Sequence, residues 1–222
     1  MPRTGTTRGQ RVSRRTRIVW SSFLASMAMV TGVLALSDRG AGSGFRFPAA
    51  NTSLVSDTRG RNPVFRTDAP LDRQRWQSVI IHHSGELAGN PQTIRRLHMA
   101  NGARMMGYHF VIGNGNQMGD GVVHVGERWI RQLPGWHAVG PDADFYNQHA
   151  IAICLVGNGD RRTFTDRQTA QLISLVKRLQ RELGILPSAV RLHRDIADGL
   201  TSSPGRFFPT TLLDQQLLRS LR

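Results

Sequence analysis

Apolar positions along this chain fall into short runs separated by polar, glycine-rich turns. Val79-Ile80-Ile81 is a run of the length and branching that make a buried strand. Asn90-Pro91 offers an N-cap followed by proline at the first helical position, and Ile94, Leu97 and His98 then share one helical face. A second strand is predicted at Tyr108–Ile112, ending in the turn Gly113-Asn114-Gly115-Asn116, and a third at Val122–Val125. Ala150–Val156 is almost wholly apolar, which predicts a central strand covered on both faces. Thr165 and Gln168 form a capping box for a helix carrying Leu172, Val176, Leu179 and Leu183 on one stripe, with Gly184 as its stop. A last strand at Ala189–Leu192 and a terminal helix marked by Leu212, Leu213, Leu217 and Leu221 complete the pattern. Strands alternate with helices, so the predicted fold is α/β, a mixed central sheet flanked by helices.

The N-terminal third reads differently. Residues 18–36 form a 19-residue stretch without charge, close to the length of about 20 residues that spans a bilayer. Six arginines precede it, while Asp38 and Arg39 follow, which predicts residues 1–17 as a basic cytoplasmic segment. Two readings stay open for 18–36: an uncleaved transmembrane signal anchor, favoured by its length, or a signal peptide cut near Ala35-Leu36-Ser37. Either one implies export to the cell envelope. Residues 37–75 are rich in Gly, Ser, Arg, Asp and Pro without sustained periodicity and read as a flexible linker. The folded domain is placed at 76–222.

Composition adds two constraints. Hydrophobic residues at 39% suffice for one core. The net charge of +14 falls by six, to +8, without the six leading arginines. A basic remainder suits anionic polymers in general and does not select nucleic acid. The single cysteine, Cys154, excludes an intramolecular disulfide, and its apolar run marks it as a small buried residue.

Candidate chemistry lies at the strand ends. His82 follows Val79-Ile80-Ile81 and His193 follows Val190-Arg191-Leu192; each is an imidazole of the kind that binds zinc. His98 and His109 read as packing or hydrogen-bonding residues. Five segments then occur in order: Ile80-Ile81-His82-His83-Ser84, Gly107–Gly113 beginning Gly-Tyr-His-Phe, His137-Ala138, Ile151–Gly157, and His193-Arg194-Asp195 followed by Ser203-Pro204-Gly205.

This series, over roughly residues 76–209, resembles the amidase-2 and peptidoglycan-recognition-protein family, the zinc-dependent N-acetylmuramoyl-L-alanine amidases. The resemblance implies zinc ligands at His82, His193 and Ser203, catalytic roles for Tyr108 and Thr201, and substrate contacts at His137, with Trp136 beside it. It implies Zn2+ as cofactor and peptidoglycan or muropeptides as partners. The chain is expected to be a monomer, with its membrane contact through residues 18–36 as read above. Two positions depart from the family pattern. Ser203 stands where the third ligand is Cys or Asp, and Cys154 stands where one branch has a catalytic glutamate. A serine hydroxyl is neutral and a poor zinc ligand, though Asp195 or Asp198 lies close in sequence as a substitute carboxylate. The function expected is therefore a hydrolase cutting the bond between N-acetylmuramic acid and L-alanine by a zinc-activated water, with a module that binds peptidoglycan without cutting it as the alternative.

Overall fold

The computed structural model describes residues 63–218. The basic segment and the apolar stretch 18–36 lie outside the described residues. Among the described residues no helix is long and apolar enough to cross a membrane.

Five strands form one sheet: β1 (Ser78–His83), β2 (Phe110–Ile112), β3 (Val123–Val125), β4 (Ala150–Leu155) and β5 (Val190–Leu192), in the order β3-β2-β4-β1-β5. β3 runs antiparallel to β2, and the other pairings are parallel, so the sheet is mixed as the alternation predicted. The helices are α1 (Pro91–Ala100), α2 (Glu127–Ile130), α3 (Ala143–His149), α4 (Asp166–Leu183), α5 (His193–Ile196) and α6 (Thr210–Leu218). The three shortest, α2, α3 and α5, carry too few turns to show a helical period and were not legible in the sequence.

Period-two alternation divides the sheet into two unlike faces. Val79 and Ile81 of β1, with Ile151, Ile153 and Leu155 of β4, enter the large core with Leu172, Leu175, Val176 and Leu179 of α4 and Leu213 and Leu217 of α6. Each such buried side chain contributes about 1.5–3 kcal/mol relative to exposure. The alternate residues Ile80 and His82, with Ala150, Ala152 and Cys154, point the other way. Three of those five are small, which leaves room for the rings that gather on that face.

Local signals set the helix ends. Asn90 caps α1 through a reciprocal pair with Thr93. Thr165 and Gln168 make the expected box on α4, which ends at Gly184 with φ of 73°. Gln168 does more than cap: its buried amide also donates to the carbonyls of Ile112 and Val156, tying the helix start to two strand ends.

Residues 63–75, which composition assigned to the linker, pack on the domain where they are described. Val64 is buried, and its carbonyl accepts from the indole Nε1 of Trp129 at 2.5 Å. Trp76 is likewise buried, donating to Gln132 Oε1 at 2.7 Å.

Candidate functional site

His82 and His193 reach the same place because of strand register. β1 and β5 pair in parallel with Ile81 opposite Leu192, so the next residues, His82 and His193, come side by side. Their ring centroids are 4.3 Å apart. Both side chains are buried, and His82 Nδ1 and His193 Nε2 have no hydrogen-bond partner. Burial pushes the pKa of His82 well below the ordinary histidine value, and the neighbouring His137 and His193 lower it further. His193 is pushed down to about 4, mainly by burial. The pair is thus neutral imidazole at ordinary pH.

His137 joins them from the loop before α3. Its Nδ1 lies 3.1 Å from His82 Nε2, and its own Nε2 is buried without a partner. The loop is held by Asn147 of α3, whose Oδ1 accepts from the backbone N–H groups of both His137 and Ala138. On the other side, a Cβ on Gly107 would lie 2.0 Å from the Trp136 carbonyl oxygen, so only glycine lets the two segments approach this closely. The Trp136 N–H in turn donates to the Gly107 carbonyl at 3.1 Å, which holds the two segments together.

Tyr108 is half-buried beside His82, with ring centroids 5.1 Å apart. Burial raises its pKa well above the usual phenol value, and Cys154 adds to the effect. The phenol therefore keeps its proton and can serve as a donor rather than as a base. Trp136 is 40% exposed, and its ring packs edge-on to His98. His98, Tyr108, Trp136, His137, Val139 and Asn147 line a cavity of about 150 Å³, and His137 is its link to the buried pair His82 and His193. A larger cavity of about 270 Å³, between Pro91, Arg95, Met105 and His124, holds none of the predicted site residues.

The Ser203 loop closes the other side. Ser203 is buried; its Oγ accepts the His83 backbone N–H at 3.0 Å, and its carbonyl accepts from Arg194 N–H at 2.7 Å. Thr201 Oγ1 accepts from the Ser203 N–H, which places Thr201 as a brace within this loop. Outside it, Asp160 accepts from Ser202 Oγ and from Arg206 N–H. The carboxylates weighed as substitute ligands have other positions. Asp195 Oδ2 accepts from Leu192 N–H, and Asp198 occupies a left-handed turn with φ of 47° on the surface.

The remaining histidines on this side are structural. His98 Nδ1 accepts from Gly107 N–H, and His83 Nδ1 from Gly159 N–H. His109 bridges Ala152 N–H and the Leu133 carbonyl. Sequence reasoning missed the His82–His137 contact, the Asn147 clamp and the Asp160 brace. None of them has a spacing that a linear motif could display.

This arrangement agrees with a match to a known family model: residues 72–206 match Amidase_2, N-acetylmuramoyl-L-alanine amidase. The chain belongs to the Amidase_2 family. Among solved structures, the N-acetylmuramoyl-L-alanine amidase LysC from Clostridium intestinale URNW is 27% identical, with a TM-score of 0.56, covering 68% of this chain and 91% of that one. Bumblebee PGRP-SA is 26% identical with a TM-score of 0.50, covering 62% and 80%. The ectodomain complex of the peptidoglycan recognition proteins PGRP-LCa and PGRP-LCx, solved with tracheal cytotoxin, shares the fold at 22% identity and a TM-score of 0.50, covering 62% and 81%. No curated protein matches.

Amidase_2 domains are typically zinc-dependent, and the donors present here fit zinc only in part. Two neutral imidazoles offer unpartnered nitrogens, but Ser203 is neutral and its Oγ is engaged by a backbone N–H. Among the described residues, no three His, Cys, Asp or Glu side chains form a group that could hold a metal ion. Structural and catalytic zinc sites take thiolate, imidazole or carboxylate ligands. The residues present do not make a complete zinc centre.

Proposed function

We propose that this Amidase_2 domain binds the peptide stem of peptidoglycan in the groove lined by Tyr108, Trp136 and His137, as a recognition module rather than a zinc hydrolase. The observation that carries this reading is Ser203: a neutral hydroxyl, already accepting a backbone hydrogen bond, sits where the family places an anionic ligand. Cys154 stands in addition where one branch has its glutamate base, and burial keeps its thiol protonated. What remains is a donor- and aromatic-lined groove: the Tyr108 hydroxyl, the His137 imidazole and the exposed Trp136 ring. Such a surface suits the amides and carbonyls of a stem peptide. The fold it shares with a complex solved with tracheal cytotoxin is compatible with that ligand class.

A second reading, N-acetylmuramoyl-L-alanine amidase, is favoured by the two buried, unpartnered imidazole nitrogens of His82 and His193. It requires a metal donor other than Ser203. In both readings the arginine-rich start and the apolar stretch 18–36 export the domain and hold it at the cytoplasmic membrane, facing the wall.

The test uses the full chain in detergent, incubated with purified peptidoglycan with added zinc or with chelator. The expected result is sedimentation with the wall in both conditions and no new L-alanine amino termini. New termini that disappear on chelation and in His82→Ala would replace the recognition module by the amidase. Absence of wall binding in either condition would sink both readings.

A further inference from the structure

We infer that the outer edge of β3, together with the cavity beside it, is a docking site for an extended acidic segment of another protein, which adds to the sheet as a further strand and lays one carboxylate beside Arg95. The site shares no residue with the groove of Tyr108, Trp136 and His137, and it stands independently of the function proposed for that groove.

β3 ends the sheet on one side. Its ladder with β2 decides where each backbone group points. The Val122 carbonyl accepts from the Gly113 N–H, and the Gly126 N–H donates to the His109 carbonyl. Hydrogen-bonded and open positions alternate in an antiparallel pair, so residues 122, 124 and 126 face β2, while Val123 and Val125 turn their N–H and C=O outward. Nothing among the described residues pairs with those outward groups. Edge strands are normally protected from pairing by charge, proline or a bulge. Val122-Val123-His124-Val125 carries no acid, lysine, arginine or proline, and β3 pairs with β2 residue for residue.

The cavity of about 270 Å³ lies between this strand and α1. His124 stands opposite Val111, which packs with Ile94 of α1, so the His124 side chain lies on the α1 side and lines the cavity. Directly opposed residues of neighbouring strands share a face. A strand laid antiparallel along β3 therefore turns the residue opposite His124 toward the cavity. Met105 and Met106 form part of its wall, and methionine adapts to side chains of varied shape.

Charge selects what enters. Arg95 is exposed on α1, lines the cavity, and makes no hydrogen bond or ion pair with any described residue. The carboxylate in the same wall, Glu127, is taken by Arg131 at 2.8 Å. The neighbouring Arg128 guanidinium donates to the carbonyls of Met106 and Pro134. An incoming carboxylate thus meets a guanidinium without a partner, beside an acid that is already neutralised. Backbone bonds to the edge supply affinity, and the cavity supplies the choice of side chain.

The test uses 15N-labelled full chain in detergent, titrated without wall material with an end-capped heptapeptide of alternating glutamate and valine. The expected result is slowed amide exchange at Val123 and Val125. The same peptide with glutamine for glutamate should bind about fivefold more weakly, the upper range for an exposed ion pair. Arg95→Gln should remove that difference. When glutamate faces the cavity, an antiparallel strand turns its valine N–H groups to β3. Methylating the valine nitrogens should therefore abolish the exchange protection, while methylating the glutamate nitrogens leaves it. Unslowed exchange at Val123 and Val125 with excess peptide overturns the inference. So does equal binding of the two methylated peptides, or a glutamate preference that survives Arg95→Gln.

Discussion

Replacing Ser203 separates what the residue does for the fold from what it withholds from chemistry. Its Oγ is buried and accepts the His83 backbone N–H at 3.0 Å. Ser203→Ala leaves that N–H without this partner, a loss of about 1–3 kcal/mol for a buried group. At roughly 2–4 °C per kcal/mol for a domain of this size, Ser203→Ala should melt about 2–12 °C below wild type. Ser203→Asp keeps an acceptor but brings a negative charge beside two neutral imidazoles. Without metal, that buried carboxylate is poorly solvated and the variant also melts low. With zinc, two imidazoles and a carboxylate make an accepted ligand set. Free zinc at about 100 times its Kd then stabilises by about 2.7 kcal/mol. The corresponding rise in Tm is about 5–11 °C.

The assay is thermal unfolding of full-length wild type, Ser203→Ala, Ser203→Asp and Ser203→Cys in chelator and across a zinc titration, with bound metal measured directly. Wild type and the alanine variant should be nearly indifferent to zinc, while the aspartate and cysteine variants rise. Equal zinc stabilisation of wild type and Ser203→Asp would refute the reasoning, because it would mean that the site already holds an adequate third donor. An alanine variant that melts with wild type would show that the Ser203–His83 bond carries no weight.

Three further outcomes are expected. A Cβ on Gly159 would meet the Pro204 carbonyl oxygen at 1.9 Å, so Gly159→Ala must displace the Ser203 loop; Tm should fall by several degrees, and an unchanged Tm would count against this close packing of the loop. Burial lowers His109 to about 3 and His193 to about 4, so between those values and 6.5 the unfolded chain binds more protons than the folded one. Stability should hold above about pH 6.5 and decline as pH falls toward 4, and a Tm that stays flat from pH 7 to 4.5 would contradict this. Trp136 is 40% exposed at the groove edge, so Trp136→Ala should weaken binding of soluble muropeptides roughly tenfold at nearly constant Tm; unaltered affinity in a titration would remove it from the binding surface.

Elements with strong local signals are legible in the sequence itself. The Asn90-Pro91 start, the Thr165/Gln168 box and the Gly184 stop each satisfy groups that a helix end leaves open, and the helices begin and end there. β4 runs as six fully buried residues, as an uninterrupted apolar run predicts for a central strand. The helices α2, α3 and α5 were not legible, because segments of four to seven residues are set by tertiary contacts. The place of residues 63–75 was also hidden. Polar composition said linker, yet Val64, Phe65 and Leu71 pack against the core, and the Val64 carbonyl accepts from Trp129.

The site shows a sharper version of the same limit. Register makes His82 and His193 neighbours once β1 and β5 are known to pair, so two strand-end histidines were readable as a unit. His137 was visible through family resemblance, but its bond to His82 depends on Asn147 gripping a loop and on Gly107 admitting a carbonyl. Neither contact has a sequence period. Ser203 is the reverse case: its identity is plain in the sequence, and its role lies in the contacts that the fold gives it. Here it is buried, it accepts from the strand that carries His82, and its carbonyl accepts from the helix that His193 begins. The loop that would hold a metal donor instead joins the two histidine-bearing elements by hydrogen bonds. The Ser203 loop is thus tied to both elements without an anionic side chain, which is compatible with the proposed binding without cleavage.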